Sequence, residues 1–199
     1  DEALGFKIFL DGSLGARSAA LSAPYSDSEG SCGSLNYQDK ELRQLIERVH
    51  KVGKPVACHA IGDRAIAQFL RVIRDDRHPL DRVEHVQVAT LAQLDELARL
   101  GIAVCIQPCA SSELPWARQR VGDARLPTSY AWNLMQERGI CLLAGTDAPV
   151  DQVSPDYAAQ LADGQKGPHH LDYQYVLDLF SQNNWNYYDW KPGSTSQVL

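Results

Sequence analysis

No apolar run in this chain approaches the roughly 20 residues needed to cross a bilayer, and no signal-peptide pattern opens it. Basic residues never cluster. The 19 Lys and Arg are outnumbered by 25 Asp and Glu, for a formal net charge of −6. That balance lacks the electrostatic footprint of a nucleic-acid binder or an anionic-membrane binder. Cysteine is scarce and odd in number, at Cys32, Cys58, Cys105, Cys109 and Cys141, with no CxxC pair. Neither a disulfide framework nor a zinc knot is expected. Cys58, Cys105 and Cys141 fall inside apolar strand-like runs and read as buried, reduced thiols of a cytoplasmic protein. No GxGxxG follows a strand-like run, and the GSLG at 12–15 is too short for a phosphate loop and lacks its lysine. Both absences count against a doubly wound protein that binds a nucleotide or sugar. Methionine occurs once, at Met135, and the chain opens Asp1-Glu2-Ala3, so a piece of a longer or processed protein is expected.

What is present is ordinary globular material, 44% hydrophobic and 22% charged, enough for one sizeable core. The organising stretch is 54–66, KPVACHAIGDRAI. A short apolar run carries His59 at its end, Gly62 turns the chain, and Asp63 sits where an N-cap or first-turn acid starts a helix. The same arrangement recurs. Strand-like runs cover 5–10 (GFKIFL), 55–59, 82–88 (RVEHVQV), 102–107 (IAVCIQ) and 140–144 (ICLLA). Helical periodicity covers 38–52, 63–74, 90–100 and 128–138, with Thr90 as an N-cap and Gly53, Gly101 and Gly139 as stops. Long loops are expected at 11–37 and 108–127. The strands are near-continuous apolar runs, as parallel strands covered on both faces are. Alternating β and α elements at this density give either a doubly wound sheet or part of a (βα)₈ barrel.

Parallel strands share one carboxyl edge, the edge at which α/β proteins bind ligands. Lys7 and Asp11 lie within and at the exit of the first strand, His59 on the second, His85 on the third after Glu84, Gln107 on the fourth and Asp147 on the fifth. Imidazoles, a carboxylate and a lysine on one rim make a metal-site inventory suited to zinc or a related divalent ion. Such an ion would activate water at neutral pH, with Asp147 moving the proton. Taken singly, each residue has a duller role: a satisfied core histidine, a snorkelling lysine, an aspartate capping a turn, a Glu84 paired with Arg82 or Arg64. Their matching positions on consecutive strands favour the functional reading. His50, His78, His169 and His170 lack that placement and read as surface residues.

The runs KIFLDGSLGARSAAL from Lys7, CHAIGDRAI, RVEHVQV and LLAGTDAPV, in this order and spacing, resemble the amidohydrolase superfamily, and within it the amidohydrolase 3 branch. The resemblance covers about 5–159. It implies an α/β fold, a partial (βα)₈ TIM-type barrel spanning strands four to eight, and a metal-dependent hydrolase of amide or formamide-like C–N bonds. It implies Lys7, His59, His85 and Asp147 as metal ligands, with Asp147 also the proton shuttle. The metal would be one or two ions, most suitably Zn²⁺, bridged if Lys7 is carboxylated. Asp11 and Arg17, on the glycine-rich loop, and Gln107 are the candidate substrate-binding residues.

Departures from the family are equally specific. The His-x-His of strand one is absent, as are strands one to three and the small β-domain. Residues 1–160 therefore read as the C-terminal part of a hydrolase barrel, and 161–199 as an aromatic-rich tail of unassigned structure. Strands four to eight cannot close a barrel, so open edges invite association into a homo-oligomer. The expected partner is otherwise a small-molecule substrate, with no nucleic acid and no membrane. A poor catalyst when alone, or a non-catalytic remnant serving as a binding or oligomerisation module, is the competing expectation.

Overall fold

The computed structural model describes residues 3–189. Five parallel strands form one open sheet in sequence order: β1 (Phe6–Phe9), β2 (Val56–Ala60), β3 (Arg82–His85), β4 (Ala103–Ile106) and β5 (Leu142–Ala144). Between them run α1 (Asp39–His50), α2 (Asp63–Ile73), α3 (Leu91–Leu100), α4 (Leu114–Arg125) and α5 (Trp132–Glu137). The α/β class and the parallel strand order are as expected of part of a barrel.

Side chains alternate across each strand. Ile8, Val56, Cys58, Val83, Val104, Ile106 and Leu142 point to one face and share a core with Leu42 and Ile46 of α1, Phe69 of α2 and Leu94 of α3. Burying one such side chain stabilises by about 1.5–3 kcal/mol. The opposite face carries Lys7, Phe9, His59, Glu84 and Cys105, neighbours in the register Phe9↔His59, His59↔Glu84 and Glu84↔Cys105. Glu84 is buried there with Arg82 Nε 2.7 Å from its Oε1, one of the two pairings its duller role allowed.

The helices start and stop for local reasons. Thr90 caps α3, its hydroxyl accepting from Gln93 N at 3.2 Å while Gln93 reaches back to Thr90 N. Gly101 ends it at φ 65°.

Four expectations need correction. Residues 108–127 are not a loop but a 3₁₀ turn, Pro108–Glu113, followed by α4. Pro115 falls in the first turn of α4, where its missing N–H costs nothing, and Ala117 and Val121 bury one face. The helix expected at 128–138 begins only at Trp132, because Thr128 closes a 3₁₀ turn and Ser129 bridges to Val88. Cys141 is exposed just before β5, and Cys105 is only half-buried. His50 is not a surface residue: its side chain is 9% exposed and wedged between Asp76 and Asp81, each at 3.1 Å.

After β5 come α6 (Pro155–Asp163), α7 (Tyr173–Asp178), a π turn (Leu179–Asn183) and α8 (Asn184–Tyr187). Leu171, Val176 and Leu179 join the main core. Trp190, the last aromatic of the tail, lies outside the described residues.

Candidate active site at the carboxyl ends of the strands

The site is assembled around Asp11. This residue leaves β1, and its side chain is wholly buried. Its carboxylate accepts from Ile61 N at 3.0 Å, Gly62 N at 2.9 Å and Ala20 N at 2.8 Å. Burial pushes its pKa up, and the three N–H donors oppose that rise. Asp11, expected at the substrate pocket, spends its carboxylate on backbone N–H groups and staples the glycine-rich loop to the exit of β2. Gly62 is required by the same closeness, since a Cβ there would lie 2.0 Å from Ala20 O. Asp63, the first residue of α2, accepts from Ser22 N at 2.8 Å and ties the loop down again.

His59 inherits its orientation from this staple. Its Nε2 lies 3.0 Å from Gly12 O and 3.4 Å from Asp11 Oδ1. A carbonyl oxygen only accepts, so Nε2 is the nitrogen that donates, and a neutral ring held this way has its lone pair on Nδ1. The ring packs 5.2 Å from Phe9 and 4.4 Å from His85, centroid to centroid.

His85 reaches that position through an unusual backbone. Its strand partner is Ala60, whose side chain faces the helix layer, so a regular pleat would send His85 the same way. Instead His85 has φ 77° and Val86 φ 50°. Two consecutive left-handed residues, one of them β-branched, cost on the order of 1–3 kcal/mol each, and they bring the imidazole round beside His59. Burial first, then repulsion from His59 and from Lys7, holds the His85 pKa down at about 3, while the Gln107 side chain beside it favours the charged form. His85 is thus neutral at pH 7, with a lone pair to offer. Gln107 is buried, donates to Cys105 O at 3.2 Å, and leaves its Oε1 without a hydrogen-bond partner.

Lys7 is exposed on the same face, its Nζ 5.6 Å from the Phe9 ring and close enough to His85 to affect its protonation. Asp147 is exposed after β5 at φ 57°, and no hydrogen bond or ion pair of its side chain is found among the described residues. Arg17 is engaged at the rim: Nε and Nη2 meet Asp27 at 3.1 and 2.9 Å, and Arg120 of α4 joins the same carboxylate. Arg120 also lies over Trp116 at 5.8 Å. These contacts clasp loop 11–37 to α4 above the sheet.

Several of these residues carry no motif. Phe9 was legible only as a strand residue. The Tyr130 hydroxyl, buried at 2.7 Å from Glu113 Oε2 and 3.2 Å from Gln87 Oε1, belongs to a left-handed residue at φ 49° that no pattern marks.

Two imidazoles side by side, one neutral by burial and one in a fixed tautomer, suit a divalent metal in donor chemistry. The unpartnered Oε1 of Gln107 adds an oxygen nearby. In number they fall short: among the described residues no group of three or more His, Cys, Asp and Glu is arranged to hold an ion.

The sequence profile of the Amidohydrolase family matches residues 2–179. The chain belongs to that family. The match runs beyond residue 159, where the resemblance was expected to end. The chain is 37% identical over 169 residues to YtcJ of Bacillus subtilis, which carries an amidohydrolase name, across 82% of this chain and 32% of that protein. It is 28% identical over 166 residues to LONG AFTER FAR-RED 3 of Arabidopsis thaliana, across 79% of this chain and 28% of that one. An uncharacterized metal-dependent hydrolase from Pyrococcus furiosus superposes with a TM-score of 0.85 at 29% identity, over 91% of this chain and 39% of that chain. This amidohydrolase chain therefore spans about a third of the length of the curated relatives it matches. Among its described residues no helix is long and apolar enough to cross a membrane.

Proposed function

We propose that this chain is the strand-four-to-eight portion of a metal-dependent hydrolase that cleaves a non-peptide C–N bond, in an amide or formamide-like small molecule, in the cytoplasm. One observation carries the reading: the imidazoles of His59 and His85, from adjacent strands, meet at 4.4 Å at the carboxyl edge of a family-matched sheet. His59 Nδ1 and His85 would hold the ion, Zn²⁺ by donor type, with Lys7 a third donor when carboxylated and Asp147 a fourth. A divalent ion at that place supplies Lewis acidity and lowers the pKa of water. The chain's own residues do the rest. The Gly12 carbonyl keeps the His59 proton on Nε2. Burial keeps His85 neutral. Asp147, exposed at the rim, takes a proton from the attacking water and returns it to the leaving nitrogen as the C–N bond breaks. Gln107 and Arg17 flank the substrate.

A second reading is supported by the missing third donor: a non-catalytic remnant that survives as a binding or oligomerisation module. Metal content after dialysis against micromolar zinc separates the two. Stoichiometric zinc, lost in both His59→Ala and His85→Ala while circular dichroism is unchanged, supports the hydrolase. Absence of zinc from the wild-type chain supports the remnant.

A further inference from the structure

Among the described residues six other than glycine have positive φ, and three of them belong to one hydrogen-bonded cluster at the exit of β3. His85 at φ 77° and Val86 at φ 50° make the bend that brings the His85 ring beside His59. Tyr130, at φ 49° in the connection between β4 and β5, reaches the residue that follows them. Left-handed β-branched and aromatic residues persist only where their surroundings over-determine them. What holds this bend is therefore a question with a structural answer.

The link runs through Gln87, directly after the bend and buried. Tyr130 N donates to Gln87 O at 2.7 Å, and Tyr130 Oη lies 3.2 Å from Gln87 Oε1. The hydroxyl has one proton, and the nearer acceptor, Glu113 Oε2 at 2.7 Å, takes it. The Gln87 amide completes the pair when turned over, its N–H donating to the Tyr130 oxygen. Tyr130 thus grips Gln87 by main chain and side chain together. Adjacent contacts keep the two segments in register: Val88 bridges Ser129, and Ala89 N donates to Thr128 O at 3.4 Å. On the β2 side, Val86 N donates to Ala60 O at 3.1 Å and Val88 N to Ile61 O at 2.9 Å. The bend is fixed by the exit of β2 on one side and by 128–130 on the other. Tyr130 has a firm seat of its own. It is fully buried, its ring lies 6.2 Å from that of Trp132, and His169 Nδ1 is 3.3 Å from its carbonyl oxygen.

We propose that Tyr130 is a positioning residue for the His59–His85 pair: through Gln87 it holds the 85–86 bend, and so keeps the His85 imidazole where one divalent cation can take both rings. The consequence for a cation rests on the function proposed above; the placement of the ring does not. Once Gln87 is released, the bend loses part of what offsets its strain. The regular pleat, which sends His85 to the helix side, then becomes accessible.

The test is NMR on the full, metal-free chain, reading the nuclear Overhauser cross-peak between ring protons of His59 and His85. The wild type is expected to show it, since the ring centroids lie 4.4 Å apart. Tyr130→Phe keeps the ring and loses the hydroxyl. It is expected to weaken the cross-peak at least threefold and to speed amide exchange at Val86 at least tenfold. Gln87→Met cuts the same link from the other side and is expected to do the same, so either variant carries the test should the other fail to fold. The double variant is expected to lose no more than either single one, because Tyr130 acts through Gln87. Two controls separate positioning from mere stability. Phe69→Leu, in the core under α2, lowers the unfolding midpoint and is expected to leave the cross-peak at wild-type strength. Glu113→Gln keeps an acceptor for Tyr130 and is expected to leave it too. A cross-peak unchanged in Tyr130→Phe and Gln87→Met would overturn the proposal, as would additive losses in the double variant or an equal loss in Phe69→Leu. Zinc titrated into the same samples gives a second readout, its Kd expected to rise at least tenfold in Tyr130→Phe. An unchanged Kd in a variant that has lost the cross-peak would overturn the role in cation binding. A wild-type chain that takes no zinc, while the cross-peak responds as expected, would sink the metal reading and leave the hold of Tyr130 on His85 standing.

Discussion

Asp11 shows how far one carboxylate organises this rim. It accepts three backbone N–H groups from two segments about 40 residues or more apart in sequence, Ala20 on one side and Ile61 and Gly62 on the other. Asp11→Asn replaces one acceptor oxygen with a donor, leaving buried N–H groups facing an NH₂. A loss of about 1–3 kcal/mol in urea unfolding is expected, together with weaker ordering of His59 in its imidazole NMR signals. The residue type at position 11 was readable as polar and placed at a strand exit, but its use was not. A carboxylate spent on backbone and one spent on substrate look alike in sequence, and only burial tells them apart. His59 was legible because a histidine that ends an apolar run just before a glycine turn stands at the edge where α/β sheets bind ligands. The orientation of His85 was not legible: regular alternation from Glu84 sends it to the wrong face, and nothing in Val86 announces a left-handed backbone.

At the level of elements, the strands and the first three helices could be read from periodicity because each buries one simple face. The region 108–127 could not, because prolines in the first turns of its helical segments imitate loop punctuation. Pro115 lies in the first turn of α4, and Gly122, at φ 73°, breaks that helix from within. Close approach, rather than flexibility, explains Gly62 at the start of α2. Gly62→Ala would force a methyl to 2.0 Å from Ala20 O, and a loss of about 1–3 kcal/mol or more in thermal or urea unfolding is expected. The contact between Glu113, at the end of the 3₁₀ turn, and Tyr130 has its own pH signature. Burial raises the Glu113 pKa, with the Tyr130 hydroxyl pulling the other way. A carboxyl whose folded pKa lies above its unfolded one stabilises fully at pH below the unfolded value, and that stability is lost as pH rises through the folded value. Glu113→Gln keeps an acceptor for Tyr130 without the charge. The variant is expected to be more stable than the wild type at pH 7, with the gap closing as the pH is lowered toward 4 in parallel denaturation curves.

Across the whole molecule, the clasp over the sheet and the sheet's stability are separable. Arg17 and Arg120 converge on Asp27 at the surface, where ion pairs contribute little. Asp27→Asn is expected to lower global stability by no more than about 1 kcal/mol. In the same variant, backbone exchange of 11–37 and of α4 should rise together, because each holds the other in place. Equal exchange in variant and wild type would show that the apolar contacts of Leu14, Tyr25 and Ala117 hold the roof alone. The sheet order was readable from the sequence, since alternating units leave few topologies. How the outward carbonyls of Leu142 and Ala144 in β5 are met was not, because it depends on the Asn183 and Asn184 amides, in a tail without periodicity.

The paired left-handed residues at 85 and 86 also bear on any attempt to transplant this rim. A designer who copies the two histidines onto neighbouring strands of a regular sheet would obtain imidazoles on opposite faces, unable to share a ligand. The portable unit is the bend together with the ring, and a host scaffold must have stability to spare before it can accept that bend.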